Sequence, residues 1–361
     1  MYTEIVKIIE GGLNKDVQKV ASYAKLLADN LRQDGDVKAA QRILKLLSSK
    51  NATFTSTDQM LHTPVDHESR MSMADIIMPE YIEPKIVFSD SIKETVDTFV
   101  DFQKFKRDIQ KKGLEVPSSL LLYGKPGCGK TTIAKYISRE LNMPLILTRF
   151  DSLISSLLGN TAKNIRKLFE YANSKPCILF LDEFDAIAKA RDDQHEMGEL
   201  KRVINSLLQN IDEFTHNNIL IAATNHHELL DRAIWRRFNT IVNVTNPGSE
   251  EINKLIKMIF INVENDFINN SKKLRLIETS FTNLSHADIK TICTNAIAKN
   301  IINKKNIVST EDLLFQLFLF NNNNHYTNAD VTKFLNSKGI PETSIAAFFN
   351  VSRRQISNYL K

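Results

Sequence analysis

The segment Gly-Lys-Pro-Gly-Cys-Gly-Lys-Thr at residues 124–131 constrains the fold more strongly than any other part of the chain. It follows the pattern G-x-x-x-x-G-K-T, comes directly after the apolar run at residues 120–123, and opens a helical pattern. A strand, a glycine-rich loop and a helix in this order are typical of a phosphate-binding loop, because the glycines let backbone N–H groups approach the phosphates. A chance glycine-rich turn before a helix is the alternative interpretation.

The side chains of this loop have predicted roles. Lys130 is placed to contact the β- and γ-phosphates, and the Thr131 hydroxyl to coordinate Mg²⁺. Cys128 is expected to be a small neutral space-filler, and sensitivity to oxidation is the alternative for a thiol at this position. The residues predicted to bind the nucleotide are Gly124, Lys125, Pro126, Gly127, Cys128, Gly129, Lys130, Thr131, Thr132 and Asp182.

Length and composition bound the protein class. A chain of 361 residues predicts two or three domains, and 42% apolar with 25% charged residues is typical of a globular protein. No apolar run reaches the length of about 18 residues that a membrane span needs, and the N-terminus has no secretory pattern, so we expect a cytoplasmic protein. The three cysteines are too few and too scattered for a disulfide framework or a metal cage. The net charge of +5 is modest.

Residues 1–50 have the apolar periodicity of a small helical module. Apolar residues recur at steps of three and four on both sides of Gly35 and Asp36, which break and cap the pattern. The module either docks a partner or packs on the main domain as a helical hairpin, and the sequence favours neither. Residues 51–84 are polar and contain three prolines, so we predict a linker there.

From residue 85 onwards, apolar strand-like runs alternate with helical stretches. This alternation predicts an α/β fold in which helices cover both faces of a parallel sheet. The predicted strands lie at residues 119–123, 145–150, 177–181, 219–223 and 240–244. Ligands of such sheets bind outside the carboxyl ends of the strands, so the functional residues are expected there.

Three polar side chains follow predicted strands at that edge. Asp182 and Glu183 come directly after the apolar run at residues 178–181. Asp182 is predicted to hold the Mg²⁺ shell together with Thr131, and Glu183 to polarise a water for attack on the γ-phosphate. Asn225, after the next strand, is placed to orient the same water. In isolation the acidic pair would equally suit a solvated loop, and Asn225 a turn.

Arg236 and Arg237 stand side by side, eleven residues after Asn225. They follow a helical stretch whose end is expected to lie far from its own phosphate-binding loop. An arginine there is available to a neighbouring subunit, where it stabilises the phosphate in transfer. A pair of solvated surface arginines is the alternative interpretation.

These motifs resemble the AAA ATPase family over residues 85 to about 300. The matching segments are the Walker A motif at residues 124–131, the Walker B motif at residues 180–188 and the second region of homology at residues 224–238. The resemblance implies an ATPase that uses ATP and Mg²⁺, with Asn225 as its first sensor. It also implies a homo-oligomeric ring, usually a hexamer, with ATP at each subunit interface.

Two details refine the resemblance or depart from it. The adjacent Arg236 and Arg237 are similar to the severing and membrane-scission subgroup represented by katanin and spastin, in which both arginines act as fingers. Residues 249–320 resemble the helical lid of the family. Within the lid, His286 stands where the family usually has glycine, so a side chain near the nucleotide is expected to alter its seating.

Ring members of the family usually grip a polypeptide through a pore loop of the form aromatic, apolar, glycine. This chain has Leu157, Leu158 and Gly159 at the corresponding place, after the second predicted strand. Because leucine replaces the aromatic residue, the resemblance implies ATP hydrolysis more strongly than threading of a protein substrate. Packing of a helix in the core is the alternative for the two leucines.

Residues 321–361 are predicted to form a separate C-terminal element that begins with a run of four asparagines. Within residues 342–360, an apolar face, a turn at Asn350 and a cap at Ser352 predict a helix-turn-helix. The residues placed to contact DNA are Ser352, Arg353, Arg354 and Gln355. Residues 331–361 carry a net charge of +4, which favours nucleic acid, and docking on a protein is the alternative for such a unit.

The whole layout is similar to bacterial AAA ATPases encoded beside a subtilisin-like serine protease, in systems linked to plasmid maintenance and phage defence. The main α/β domain would then cover residues 85–248. Two functions follow from the sequence. In the first, a ring ATPase remodels or delivers a protein partner, such as a protease. In the second, a DNA-binding ATPase assembles on duplex DNA through its C-terminal element.

Overall fold

The computed structural model describes residues 74–82, 86–149, 158–173, 176–186, 197–215 and 218–361, with scattered positions between residues 24 and 44. The chain divides into two compact units, Met1–Ser72 and Met73–Lys361. In the first unit, the described residues at 24, 27–28, 31–32 and 39–44 are helical. The Asp36 carboxylate accepts a hydrogen bond from the Ala39 N–H at 3.1 Å, so it caps the second helical stretch at the predicted break.

The second unit contains a six-stranded sheet. Its strands are β1 (Asp75–Ile77), β2 (Ser119–Tyr123), β3 (Leu145–Arg149), β4 (Ile178–Asp182), β5 (Ile219–Thr224) and β6 (Thr240–Asn243). Their order across the sheet is β1-β3-β4-β5-β2-β6; β1 pairs with β3 in antiparallel orientation, and the other pairs are parallel. The five predicted strands are confirmed. The carboxyl ends of β4, β5 and β2 are neighbours at one edge.

Helices cover the sheet and continue beyond it to the C-terminus. They are α1 (Asp90–Lys104), α2 (Lys106–Lys111), α3 (Lys130–Leu141), α4 (Leu158–Asn173), α5 (Met197–Phe214), α6 (Arg232–Trp235), α7 (Ser249–Ile259), α8 (Ser271–Ser280), α9 (His286–Ile302), α10 (Thr310–Asn321), α11 (Asn328–Ser337), α12 (Glu342–Phe349) and α13 (Arg353–Leu360). Short 3₁₀ turns lie at Pro79–Tyr81 and His227–Leu229. Within the described part of the chain, no helix combines the length and the apolar composition that crossing a membrane requires.

The central strands β2, β4 and β5 are apolar except at their ends, because both faces of the sheet are covered. Along β4, Leu179 and Leu181 point to the face covered by α4 and α5. Ile178 and Phe180 alternate with them and pack against α1 and α3 on the other face. The fold class is therefore α/β, as predicted, with a sheet buried between two layers of helices.

The prediction that residues 51–84 form a linker is wrong for residues 75–81. Residues 75–77 form β1, which pairs with Leu145, Ile146 and Leu147 of β3 and extends the sheet. The 3₁₀ turn at Pro79–Tyr81 follows directly. The strand has only three residues, which is too short to show an alternating pattern, and the nearby prolines suggested a linker instead.

The lid, α7–α10, and the C-terminal helices α11–α13 share one apolar core. Val331, Ile345 and Ile356 of the C-terminal helices belong to the same buried cluster as Ile289 and Leu314 of the lid. The ring of Phe315 lies against Phe348 and Tyr326, with centroids 5.6 and 5.3 Å apart. The sequence suggested a separate C-terminal element. The structure differs, because the apolar faces of these helices pack directly on the lid.

Candidate nucleotide-binding site

The phosphate-binding loop joins the end of β2 to the start of α3. A Cβ on Gly124 would lie 2.1 Å from the Val244 carbonyl oxygen, so the chain leaving β6 approaches too closely for any other residue. Gly127 has a φ of +77°, and a Cβ there would lie 2.5 Å from the Ser285 hydroxyl at the start of α9. The Ala287 N–H donates to the Gly127 carbonyl at 3.1 Å. The loop is thus held between the sheet and the lid.

Lys130 is the buried cation of this loop, with only 7% of its surface exposed. Its Nζ donates hydrogen bonds to the carbonyl oxygens of Gly124 and Lys125 at 2.8 and 3.0 Å, and to Asn225 Oδ1 at 2.7 Å. Burial lowers the pKa of Lys130, and the nearby carboxylates of Asp182 and Asp185 act in the opposite direction. The ammonium group is therefore fixed where the predicted phosphates bind, and it already contacts the predicted sensor Asn225.

The two predicted metal ligands lie together. The Thr131 hydroxyl donates to Asp182 Oδ2 at 3.1 Å, which joins the first turn of α3 to the last residue of β4. A hydroxyl and a carboxylate oxygen are hard ligands of the kind that Mg²⁺ prefers next to phosphates, so the donor set fits this ion. When bound, Mg²⁺ would neutralise charge on the phosphate oxygens. Thr131 and Asp182 would hold it against the loop.

Glu183 has a left-handed backbone conformation, with a φ of +55°. Its N–H donates to Asp182 Oδ1 at 3.0 Å, so the side chains of two consecutive residues diverge from one turn. Arg149, at the end of β3, places Nη2 3.6 Å from Glu183 Oε2. Non-glycine residues in this conformation cost about 1–3 kcal/mol and cluster at functional sites. The sequence did not reveal Arg149, because its place beside Glu183 depends on the pairing of β3 with β4.

Asp185 is a second residue that sequence reasoning missed. It is 2% exposed, and its Oδ1 accepts hydrogen bonds from the Thr224 hydroxyl at 2.9 Å and the Asn225 N–H at 3.3 Å. The Phe184 N–H donates to the Ala223 carbonyl at 2.9 Å. The turn after β4 is therefore tied to the end of β5, and Asp185 positions Asn225. A sequence signal for Asp185 was available, because it stands only two residues after the predicted catalytic Glu183.

The phosphate-binding loop, Asp182, Glu183 and Asn225 border a cavity of about 660 Å³. This volume is within the range of about 300–1,000 Å³ usual for small-ligand sites. Its polar end is lined by Pro126, Gly127, Cys128, Gly129, Lys130, Thr131, Thr132, Lys135, Asp182, Glu183 and Asn225. Gly124 and Lys125 do not line it, and contribute carbonyl oxygens to Lys130 instead. Apart from His286, which was expected near the nucleotide, the apolar end was not predicted. It is lined by Leu255, Met258, Ile259, His286, Ala287 and Lys290 of the lid and by Ile77, Tyr81, Ile82, Ile86, Val87 and Phe88, which we call the strap.

Comparisons with known proteins agree with this geometry. Residues 120–246 match the family described as "ATPase family associated with various cellular activities (AAA)". The chain is 41% identical over 247 residues to "Uncharacterized AAA family ATPase y4kL" of Sinorhizobium fredii, an alignment that covers 68% of this chain and 73% of that protein. The chain belongs to the AAA ATPase family. As an AAA ATPase it binds ATP with Mg²⁺ and hydrolyses the ATP.

Other relatives are longer proteins. The AAA ATPase is 34% identical over 247 residues to "Proteasome-activating nucleotidase" of Methanococcus vannielii, across 64% of this chain and 59% of that protein. It is 31% identical over 243 residues to "ATP-dependent zinc metalloprotease FtsH" of Parabacteroides distasonis, across 64% of this chain but 35% of that protein. The crystal structure of the FIGL-1 AAA domain shares the fold, with a TM-score of 0.57 and 20% identity over 73% of this chain and 92% of that one.

The two arginines of the AAA ATPase have different surroundings. Arg237 binds Asp212 of α5 with two nitrogens, Nε at 3.2 Å and Nη2 at 3.3 Å, and donates to the Ala233 carbonyl at 3.1 Å. Arg236 is exposed at the end of α6 and has no acidic partner within the described ranges. Among described residues, neither arginine lines the nucleotide cavity. The sequence treated them alike, and the structure separates them.

Arg236 follows Trp235, which belongs to a small aromatic cluster. The Tyr123 ring lies 4.6 Å from the His227 ring and 5.7 Å from the Trp235 ring between centroids. Tyr123 ends β2 next to the phosphate-binding loop, and His227 follows Asn225. The helix that precedes the arginines is therefore packed, through Trp235, against the end of β2 and against His227 of its own subunit.

Cys128 has the role of a space-filler. It is buried, and its Sγ donates to Asn246 Oδ1 at 3.0 Å. Burial raises the pKa of its thiol, which keeps it protonated and unreactive. Asn246 in turn donates to the Asn283 carbonyl at 2.7 Å, and this links the loop to the lid.

Among the described residues, none that was predicted for the pore or for DNA contact lines the nucleotide cavity. Leu157 lies outside the described residues, and Leu158 and Gly159 begin α4. The helices α12 and α13 meet at a turn where Asn350 has a φ of +56°. The Ser352 hydroxyl accepts from the Gln355 N–H at 3.3 Å and caps α13. Arg353 lies 3.3 Å from Glu342, whereas Arg354 is exposed.

Proposed function

We propose that this AAA ATPase works as a homo-oligomeric ring, hexameric as is usual for the family, that remodels or delivers a protein partner. The observation that carries the ring is Arg236. It is exposed and unpaired among the described residues, and it does not line the cavity of its own subunit. A buried or paired arginine would have a structural role in its own chain. An exposed arginine beside a rigid aromatic cluster suits the active site of a neighbour.

In this proposal the site needs two subunits. One subunit supplies Lys130, Glu183 and Asn225, and the next supplies Arg236, whose guanidinium stabilises charge on the phosphate in transfer. Arg237 would act as the weaker second finger, because its bidentate pair with Asp212 must break before it reaches a neighbour. ATP hydrolysis would then depend on assembly.

The protein partner is proposed from the relatives. The names of two of them, a proteasome-activating nucleotidase and an ATP-dependent metalloprotease, connect an ATPase of this family to proteolysis. We infer that the partner of this chain is a protease or its substrate, in a bacterial system of defence or plasmid maintenance. The predicted pore residues Leu157, Leu158 and Gly159 would contact the protein in transit.

Mixing two inactive variants tests the shared site. Glu183→Gln keeps Arg236 but cannot activate water, and Arg236→Ala keeps an intact pocket but offers no finger. Each alone should lose about 10²-fold or more of turnover. A mixture should recover activity, because sites that join the pocket of one variant to the arginine of the other are complete. If the mixture stays inactive although the two variants co-assemble, the shared site is disproved.

The matched control for this experiment is Arg232→Ala. Arg232 is an exposed arginine on the same short helix α6. Its removal should leave turnover within about twofold of the parent, since an exposed side chain without a partner contributes little.

Adding a candidate protease should raise turnover of the parent, and this rise should be absent after Leu157→Ala if the pore proposal holds.

A second candidate function is favoured by the C-terminal helices. Arg354 and Gln355 are exposed at the capped N-terminal end of α13, the end that reads bases in helix-turn-helix proteins. We propose duplex DNA as the alternative partner. Arg354→Ala should then weaken DNA binding and reduce the dependence of this binding on salt. The control is Arg275→Ala, which removes an exposed arginine of the lid and should change neither. Turnover that is indifferent to DNA would reject this alternative.

A further inference from the structure

His286 is the first residue of α9 and stands between two residues that hold the phosphate-binding loop. On one side, the Ser285 hydroxyl caps the helix by accepting from the Asp288 N–H at 3.2 Å. On the other, the Ala287 N–H donates to the Gly127 carbonyl. His286 lines the apolar end of the cavity, beside Met258 and Val87. Its position is therefore fixed relative to the loop, and the residue belongs to the apolar wall of the cavity.

The imidazole is unusual because both of its nitrogens are shielded from solvent and have no hydrogen-bond partner among the described residues. An apolar side chain would fill this wall without two unpaired polar atoms, so simple packing does not account for a histidine. The Val87 backbone and the Glu251 carboxylate lie close to the ring. Burial is the largest influence and lowers the pKa of His286, so the ring is neutral near pH 7.

A neutral imidazole has one donor and one acceptor nitrogen. Since neither nitrogen has a hydrogen-bond partner among the described residues, either can carry the proton. The other nitrogen is then an acceptor. Rotation about the Cβ–Cγ bond exchanges each ring nitrogen with a carbon in almost the same volume, so presenting this acceptor to the cavity requires no new space.

We propose that His286 is a base-selecting residue, which accepts a hydrogen bond from the 6-amino group of adenine. This inference rests on the binding of ATP in this cavity and deepens it. A purine that lacks the 6-amino group cannot donate this hydrogen bond, so His286 favours adenine over such a base. The lid side chains Leu255, Met258 and Ile259 supply apolar surface that does not distinguish bases. Selectivity at this wall therefore comes from His286.

The test compares ADP with purine riboside 5′-diphosphate, which lacks only the 6-amino group. Dissociation constants of the full chain are measured by competition with a fluorescent ADP derivative, so hydrolysis plays no part. The preference for ADP should fall about 3- to 10-fold in His286→Phe, the range expected for one neutral hydrogen bond. It should be largely kept in His286→Gln, which retains an acceptor. His325→Phe changes an exposed histidine outside the cavity and should match the parent.

An unchanged preference in His286→Phe, with ADP still bound, overturns the proposal. If that variant binds neither nucleotide, ring-nitrogen resonances of the parent protein decide the question. The resonance assigned to His286, by its absence from His286→Gln, should shift with ADP and stay in place with purine riboside diphosphate. Equal shifts with both ligands would show that the ring does not contact the 6-amino group.

Discussion

The two ends of the nucleotide cavity are built in different ways. The polar end, which we expect to hold the phosphates and call the phosphate end, consists of three short segments. They lie at the carboxyl ends of neighbouring parallel strands, and each segment has a recognisable motif. The apolar end, which we expect to hold the base and call the base end, is assembled from the strap and from two lid helices. These segments are far apart in the sequence, and only the start of α9 corresponds to a family motif. Chemistry that is common to all nucleoside triphosphates is thus encoded locally, whereas the wall around the base is encoded by tertiary packing. The two ends should respond differently to substitution.

The largest effect is expected from Lys130→Ala at the phosphate end. The substitution removes the buried ammonium group and leaves the Gly124 and Lys125 carbonyls and the Asn225 amide oxygen without their donor. Losing one partner of a buried charged interaction costs about 2–5 kcal/mol, so ATP affinity should fall about 100-fold or more. Fluorescent-nucleotide titration measures it. Lys125→Ala, which keeps its carbonyl, should retain most of the affinity.

Glu183→Gln should separate chemistry from binding at the same end. The amide cannot accept a proton from water, so turnover should fall about 10²- to 10⁴-fold. ATP affinity should change by less than about threefold, because the Thr131 and Asp182 pair remains. Turnover is followed by phosphate release. Normal hydrolysis by this variant would show that another residue activates the water.

Asp185→Ala tests the residue that connects the two strand ends. It leaves the Thr224 hydroxyl and the Asn225 N–H without their acceptor, which costs about 1–3 kcal/mol of the free energy of unfolding. Turnover should fall about tenfold, because Asn225 loses its anchor. Asp185→Asn keeps one oxygen for both donors and should have the smaller effect in both assays. Equal effects would mean that the negative charge, and not the hydrogen bonds, is required.

Met258→Ala should produce a smaller change, at the base end. Removing part of the apolar wall should raise the KM for ATP about 3- to 10-fold, at about 0.8 kcal/mol per buried methylene, with kcat changed less than KM. Ile261→Ala is the matched control, because Ile261 is 63% exposed and does not line the cavity among the described residues. A fall in kcat larger than the rise in KM would show that the base wall also positions the reacting phosphate.

The smallest effect is a pH dependence of stability from His286. Because its pKa is lowered by burial, the unfolded chain binds a proton more readily than the folded protein. Stability should fall as the pH drops below the ordinary value of 6.5 and level off below the lowered folded pKa. The Glu251 carboxylate reduces this loss. Thermal unfolding at about pH 7.5 and about pH 5.5 should show a smaller difference for His286→Phe than for the parent.

Much of the phosphate end was predictable, since a local motif specifies both the backbone shape and the chemistry. Lys130, Thr131 and Asp182 meet as expected because parallel pairing of β2, β5 and β4 brings their carboxyl ends together. The predicted α/β sheet and the turn at Asn350 are confirmed for the same reason, and the lid that the family resemblance implied is present as α7–α10. Each of them is marked by periodicity, by capping or by a turn residue within a few positions.

What escaped prediction depends on long-range contacts. β1 is a three-residue strand that is stabilised only by pairing with β3, and no short-range pattern marks it. The pair of Arg237 with Asp212 joins residues 25 positions apart. The apolar side chains of the C-terminal helices gave the right helices but not their partner, because an amphipathic face does not specify what covers it.

The shared core of the lid and the C-terminal helices makes them one mechanical body. Because α13 packs in this core through Ile356, a movement of the lid relative to the sheet moves α13 with it. The coupling is reciprocal: a ligand held by α13 in one orientation biases the lid and thus changes the affinity for nucleotide by the same factor. The binding of any ligand to α13 is therefore energetically coupled to the binding of ATP.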